Sequence, residues 1–241
     1  MSREIKKDFD HFVAFLKNYN LKKLFDDDQI INDLSRVHKK YFSYLSLISE
    51  LDQYKNDDTY DIPLRTDQFS YLAESSSDIG SAIFHSVNGS YKSSRMLLRS
   101  SIETFFKGFC FDEIEDILEE KRVFVIFDKI KELNYFKNEA QRSQFEICHV
   151  EYADLCKDVH TAEEINMQKL TALKYFPSYD PEKMNSICER ILKITPAFLF
   201  LLCNKFNQQF QKMHHRNKEN ILHSIKKKLR PTILANINLD E

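Results

Sequence analysis

Glycine is scarce in this sequence: Gly80, Gly89 and Gly108 are the only three among 241 residues. Phosphate-binding loops and tight β-hairpins usually need glycine, because it tolerates a positive φ at no steric cost. The three glycines lie too far apart to form GxGxxG, GxxxxGK[ST] or GxSxG. The sequence therefore excludes Rossmann enzymes, P-loop NTPases, α/β-hydrolases and turn-rich β-barrels, and it favours a helical protein.

The composition predicts a soluble, cytoplasmic protein. Hydrophobic residues make up 42% of the chain and aromatic residues 13%, which is enough to build one large core. The five cysteines form no CxxC pair, a usage typical of reduced, buried thiols in the cytosol. The N-terminus lacks an apolar signal region, and the longest apolar stretch, residues 196–203, is too short to cross a membrane. Without a nucleotide-binding loop, we expect no cofactor.

Apolar residues recur at α-helical spacing along most of the chain. This spacing predicts helices at residues 5–16, 28–51, 69–87, 91–111, 123–133, 139–160 and 181–212, whereas residues 162–175 form either a further helix or an ordered connection. We expect an all-α bundle of long helices. Its expected parts are an N-terminal helical region at 1–68, a helical bundle at 69–213 and a basic C-terminal tail at 214–241.

The predicted helix at 91–111 carries a group of charged residues beside its apolar stripe. Arg99 and Glu103 are four residues apart, so their side chains can pair along one flank of the helix. The pair is either an ordinary ion pair at the edge of a packed helix or part of a polar cluster between two helices. In the second case Glu103 would hold Arg99 ready to bind an anion through two hydrogen bonds.

The predicted helix at 139–160 offers a matching polar flank. Arg142, His149 and His160 lie close together on its helical wheel, and Tyr152 borders them. Two histidines, an arginine and a tyrosine are suited to acid–base chemistry. The alternative is a solvated flank whose tyrosine and histidines make only structural hydrogen bonds.

Two short motifs resemble the helical HEPN superfamily, in particular HEPN-like proteins of bacterial defence, abortive-infection and toxin–antitoxin loci. Such proteins often carry R-S-x-x-E on one helix and Y-x-x-L-S-x-x-V-H on a later one. The first motif is matched by Arg99, Ser100 and Glu103. The second is matched by Tyr152, Leu155, Val159 and His160, with Cys156 where serine is usual. The resemblance covers residues 70–175.

This resemblance implies an all-α, often dimeric protein that binds RNA or cleaves it without a metal ion. It assigns His160 as general acid or base, Arg99 as phosphate ligand and Glu103 as the residue that orients Arg99. Tyr152 would donate to the phosphate, and Arg142 and His149 would form a second layer. Many HEPN ribonucleases carry R-x4–6-H, yet the positions where that arginine would stand before His160 hold Ala153, Asp154 and Leu155.

That departure leaves a second function open, a non-catalytic helical interaction module such as an antitoxin, an adaptor or a sensor subunit. We expect the chain to form a homodimer or a complex with a protein encoded by a neighbouring gene. Two other segments do match R-x6-H, Arg142–His149 and Arg216–His223. Arg142–His149 is the better match, because it lies on the same predicted helix as His160.

The C-terminal stretch 205–230 is strongly basic, with eight Lys or Arg residues and one acid, Glu219. The whole chain has a net charge of −2, so contact with nucleic acid requires such a local patch. The candidate contacts are Arg216, Lys218, Lys226, Lys227, Lys228 and Arg230. Alternatively, the stretch is a solvated face that pairs with the acidic segment 112–120. No HExxH motif is present, and no metal site is expected.

Overall fold

The computed structural model describes residues 28–160 and 179–235, and for residues 158–160 it describes the backbone only. The described chain is helical: α1 Asp28–Asp52, α2 Thr66–Val87, α3 Tyr91–Phe109, α4 Val123–Glu132, α5 Glu139–His160, α6 Pro181–Lys205, α7 Asn207–Lys212, α8 His215–Ser224 and α9 Arg230–Leu234. Within the described residues there is no β-strand, only an isolated bridge between Lys55 and Leu64. The all-α prediction is confirmed. The helix predicted at 5–16 and the segment 162–175 lie outside the described residues.

Helix α6 forms the centre of the bundle. Every residue from Ile194 to Cys203 is buried, as expected for a helix that is apolar on all sides. Phe198 meets Tyr44 of α1 and stacks on Phe105 of α3 with ring centroids 3.7 Å apart. The apolar run that stood out in the sequence is therefore a core segment. No helix in the described ranges is both long and apolar enough to cross a lipid bilayer.

Helices α2 and α3 form a tight hairpin around two of the three glycines. Gly89 adopts φ 72° in the turn between them, a left-handed conformation that favours glycine. Further along α3, Gly108 lies against the first turns of α2. A Cβ atom on Gly108 would stand 2.8 Å from the carbonyl oxygen of Gln68 and 3.1 Å from the backbone nitrogen of Leu72. The absence of a side chain at Gly108 thus sets the separation of the two helices.

We expect Gly108→Ala to lower the free energy of unfolding by about 1–3 kcal/mol, because the new methyl group must displace the α2 backbone. The helix propensity of alanine returns at most about 1 kcal/mol of this loss. Urea denaturation followed by circular dichroism would measure the change. Gly80→Ala is the matched control, since its methyl group would meet the hydroxyl end of Tyr41, which can move. A Gly108→Ala variant as stable as the wild type would contradict the packing described here.

The segment that follows α7 folds back onto α1. Helix α8 packs along α1, and the buried hydroxyl of Ser43 lies 2.7 Å from that of Ser224 and donates to the carbonyl of Asn220. Ile221, Ile225, Leu229 and Ile233 anchor this segment in the same core as the rest of the bundle. The basic residues at 214–230 are therefore carried by a folded surface.

A buried lysine forms hydrogen bonds with groups at the C-terminal end of α3. Lys205, whose side chain is 2% exposed, donates to the carbonyl of Phe109 and to both carboxylate oxygens of Glu113, at 2.8 and 3.0 Å. A cation at this end also complements the partial negative charge of the helix C-terminus. Lys205 thus joins the end of α6 to the loop that follows α3.

Candidate functional site

The side chain of Arg99 links α3 to α5. Its Nη2 donates to the hydroxyl of Tyr152 at 3.0 Å, and its Nε donates to Sγ of Cys156 at 3.4 Å. The guanidinium carbon lies 5.3 Å from the centre of the Tyr152 ring, within range of a cation–π contact. The two motif segments, fifty residues apart in sequence, therefore meet at one arginine.

The Arg99 guanidinium keeps part of its hydrogen-bonding capacity. Glu103 is 3.9 Å from Nη2, the loose end of the ion-pair range, and no other carboxylate of the described residues pairs with Arg99. Among those residues, Nη1 donates to no acceptor. The side chain is 30% exposed, so the Nη1 edge of a fixed guanidinium can receive an anion.

Tyr152 is held as a neutral hydrogen-bond donor. Its ring is 8% exposed and packs edge-on against Phe127 at 4.9 Å. Burial raises the pKa of the Tyr152 phenol, and this effect outweighs the lowering by the neighbouring Arg99 charge. The phenol oxygen accepts from Arg99, which leaves its own hydrogen as a donor beside the guanidinium.

His149 lies one turn before Tyr152 against the same Phe127. Its ring stacks on Phe145 at 5.7 Å and meets Phe127 edge-on at 5.2 Å. Nδ1 is 3.8 Å from a Glu146 oxygen, and the side chain is 32% exposed. His149 thus borders the cluster without a direct contact to Arg99.

Arg142 lies apart from the cluster. It is exposed in the first turns of α5, ten residues before Tyr152, which is about 15 Å along a helix. There it lines a cavity of about 600 Å³ with Val150 and Lys193. The side chain of His160 lies outside the described residues, so the structure brings together Arg99, Glu103 and Tyr152, with His149 next to them.

Two residues of the cluster were not among the predicted site residues. Cys156 was read only as a departure from a serine position, and it supplies the acceptor for Arg99 Nε. Phe127 forms the apolar wall behind Tyr152 and His149. The i, i+4 spacing of Tyr152 and Cys156 was the sequence signal that could have indicated Cys156. Nothing in the sequence indicated Phe127.

A separate ionic network fastens α5 to α6. Arg190 donates to Glu151 at 2.8 Å and also to Asp154, and Lys193 donates to Glu151 at 2.7 Å. Glu151 and Arg190 are largely buried, with side chains 8% and 14% exposed. These residues fix the orientation of α5, the helix that presents Tyr152 to Arg99.

Two of the predicted nucleic-acid contacts lie in the first half of α8, and the other four follow its C-terminal end. Arg216 is exposed near the start of α8, and Lys218 donates to the carbonyl of Gln211. The others, at the far end, are Lys226, Lys227, Lys228 and Arg230. Of the basic stretch 205–230, Lys205 pairs with Glu113 of the acidic segment 112–120, as the alternative interpretation expects for this one residue. In the described ranges, residues 214–230 form no ion pair with that segment, and Glu120 pairs with Arg122.

The described part of the chain contains no group of three or more His, Cys, Asp or Glu side chains placed to hold a metal ion. Comparison with known proteins gave no match to a family model, a curated protein or a solved structure. The HEPN-like interpretation therefore rests on the two motifs and stays a prediction.

Proposed function

We propose that this protein is a HEPN-like RNA-binding protein that cleaves RNA without a metal ion, as the motif resemblance implies for a bacterial defence or toxin system. The observation that supports it is the geometry of Arg99. Tyr152 and Cys156 fix this guanidinium at the junction of α3 and α5, and its Nη1 donates to no other described residue. Such a group is suited to a phosphodiester, which offers two acceptor oxygens.

The proposed reaction uses the 2′-oxygen of the substrate as nucleophile. That oxygen forms a bond to the adjacent phosphorus while the bond from phosphorus to the 5′-oxygen breaks, leaving a 2′,3′-cyclic phosphate and a 5′-hydroxyl. One proton leaves the 2′-hydroxyl and one is given to the 5′-oxygen, steps suited to histidines such as His160 and His149. Arg99 and the Tyr152 hydroxyl would stabilise the extra negative charge on phosphorus oxygens in the transition state.

Cleavage of an end-labelled single-stranded RNA in the presence of EDTA tests this proposal. We expect the wild type to cleave and to leave 2′,3′-cyclic phosphate ends. The double variant His149→Ala, His160→Ala should lose at least about a hundredfold in rate, because general acid–base catalysis contributes about 10²–10⁴-fold. The matched control is His38→Ala, His85→Ala, since both histidines lie on α1 and α2, away from the cluster.

Unchanged cleavage in the His149→Ala, His160→Ala variant would refute the assignment of these histidines. A wild type that binds RNA without cleaving it would refute the catalytic role alone. A wild type that neither binds nor cleaves RNA would favour the non-catalytic interaction module.

A further inference from the structure

The structure adds two lysines of α1 to the basic residues at the end of α8. Lys40 lies in the middle of α1, and its Nζ donates to the carbonyl of Ser224, the last residue of α8, at 2.9 Å. Arg230 donates through Nε to the carbonyl of Ile225 at 3.2 Å. Lys39 precedes Lys40 and is exposed. Cations from two distant parts of the sequence therefore meet at one turn.

We call this group the cationic turn. It consists of Lys39, Lys40, Lys226, Lys227, Lys228 and Arg230. In the parts of the chain that the structure describes, none of the six forms an ion pair with a carboxylate. Glu219 is the one acid in the basic stretch, and it lies more than one turn earlier on α8.

Buried neighbours and backbone hydrogen bonds hold the cationic turn in place. Leu229 and Ile233 are buried on either side of Arg230, and the side chain of Asn207 donates to the carbonyl of Ile233 at 2.9 Å. Lys40 and Arg230 are held by backbone carbonyls, so their positions are fixed before any ligand arrives. Each keeps further N–H donors for a ligand, because only one is used in its carbonyl bond.

The close approach of these cations has an electrostatic cost in the free protein. Burial lowers the pKa of Lys40, and the charges of Lys39 and Arg230 lower it further. An anion bound at this turn would relieve that repulsion. Since the chain has a net charge of −2, this cation cluster is a local feature and does not reflect overall basicity.

We infer that the cationic turn binds the phosphodiester backbone of single-stranded RNA as a second contact, separate from the Arg99 site. The choice of RNA among polyanions rests on the proposed function. The turn itself carries no aromatic side chain, so base stacking is not expected. Binding should therefore be insensitive to sequence and strongly dependent on salt, as for contacts to phosphates alone.

Fluorescence anisotropy with a labelled single-stranded RNA at several salt concentrations tests the inference on the full chain. Lys227→Gln, Lys228→Gln removes two exposed charges without touching the core. We expect about tenfold weaker binding, and a salt dependence of log K that is shallower by about 1.4, since each phosphate contact on a single strand contributes about 0.7. The matched control is Lys121→Gln, Lys137→Gln, which removes two exposed lysines flanking α4.

Wild-type affinity and salt slope in the Lys227→Gln, Lys228→Gln variant would overturn the inference. So would equal losses in the control variant, or binding to vesicles containing anionic lipid with none to RNA. The result is separable from the test of the Arg99 site. Cleavage that depends on His149 and His160 but not on the cationic turn would leave the proposed function standing and refute this inference alone.

Discussion

Under the proposed function, replacing Arg99 with lysine is expected to slow RNA cleavage at least about a hundredfold while leaving the helical fold intact. Lysine retains the charge but presents a single ammonium group, so it cannot donate to Tyr152 and Cys156 while also offering two N–H groups to a phosphate. Losing one preorganised donor to the transition state commonly costs about 10²–10³ in rate. Single-turnover cleavage at saturating enzyme would separate this loss from weaker binding.

The control for Arg99→Lys is Arg122→Lys, because Arg122 is exposed and pairs only with Glu120 among the described residues. Thermal unfolding should show similar midpoints for both variants, since the Arg99 side chain is already 30% exposed. Full cleavage activity in Arg99→Lys would mean that the charge alone suffices, and that the geometry built by Tyr152 and Cys156 has no catalytic role.

The largest loss of stability is expected from Glu113→Ala. This change leaves the ammonium group of Lys205 buried, at 2% side-chain exposure, with no carboxylate partner among the described residues. Removing one member of a buried ion pair typically costs about 3–5 kcal/mol; Glu113 itself is 35% exposed, so we expect a value near the lower end, about 3 kcal/mol. Urea denaturation would measure the change in the free energy of unfolding.

Lys205→Met is the informative comparison for Glu113→Ala. Methionine fills a similar volume, and the carboxylate left behind can reach solvent, so the loss should be smaller than for Glu113→Ala. The double variant Glu113→Ala, Lys205→Met should be more stable than Glu113→Ala alone, because it also removes the unpaired charge of Lys205. A larger loss from Lys205→Met than from Glu113→Ala would show that the hydrogen bond to the Phe109 carbonyl dominates this contact.

Periodicity predicted helices α1 to α6. It did not predict the break at Phe206, which divides the expected helix at 181–212 into α6 and α7, or the helices α8 and α9 within the expected tail. The apolar spacing predicted a helix at 123–133, and the structure confirms α4 at Val123–Glu132. Gly89 lies in the turn between α2 and α3, and Gly108 lies at a close contact between the same two helices. The position of a helix depends on residues that are close together in the sequence, so the sequence alone can predict it.

Contacts between distant segments were harder to predict, for a physical reason. The pattern placed Arg99 and Tyr152 on flanks of their own helices, but which atoms touch depends on the relative rotation of α3 and α5. The same holds for Lys40, whose hydrogen bond to the carbonyl of Ser224 depends on the packing of α8 against α1. Helical wheels indicate which face a residue occupies, whereas packing decides what it meets there.

The central position of α6 has a consequence for how the chain is made. Helices α1, α3 and α5 emerge from the ribosome before α6, and each of them packs against α6. Phe198 is the partner of both Tyr44 and Phe105, so this core cannot close until the end of α6 has been synthesised. During translation the apolar faces of these earlier helices therefore stay uncovered until α6 has been synthesised.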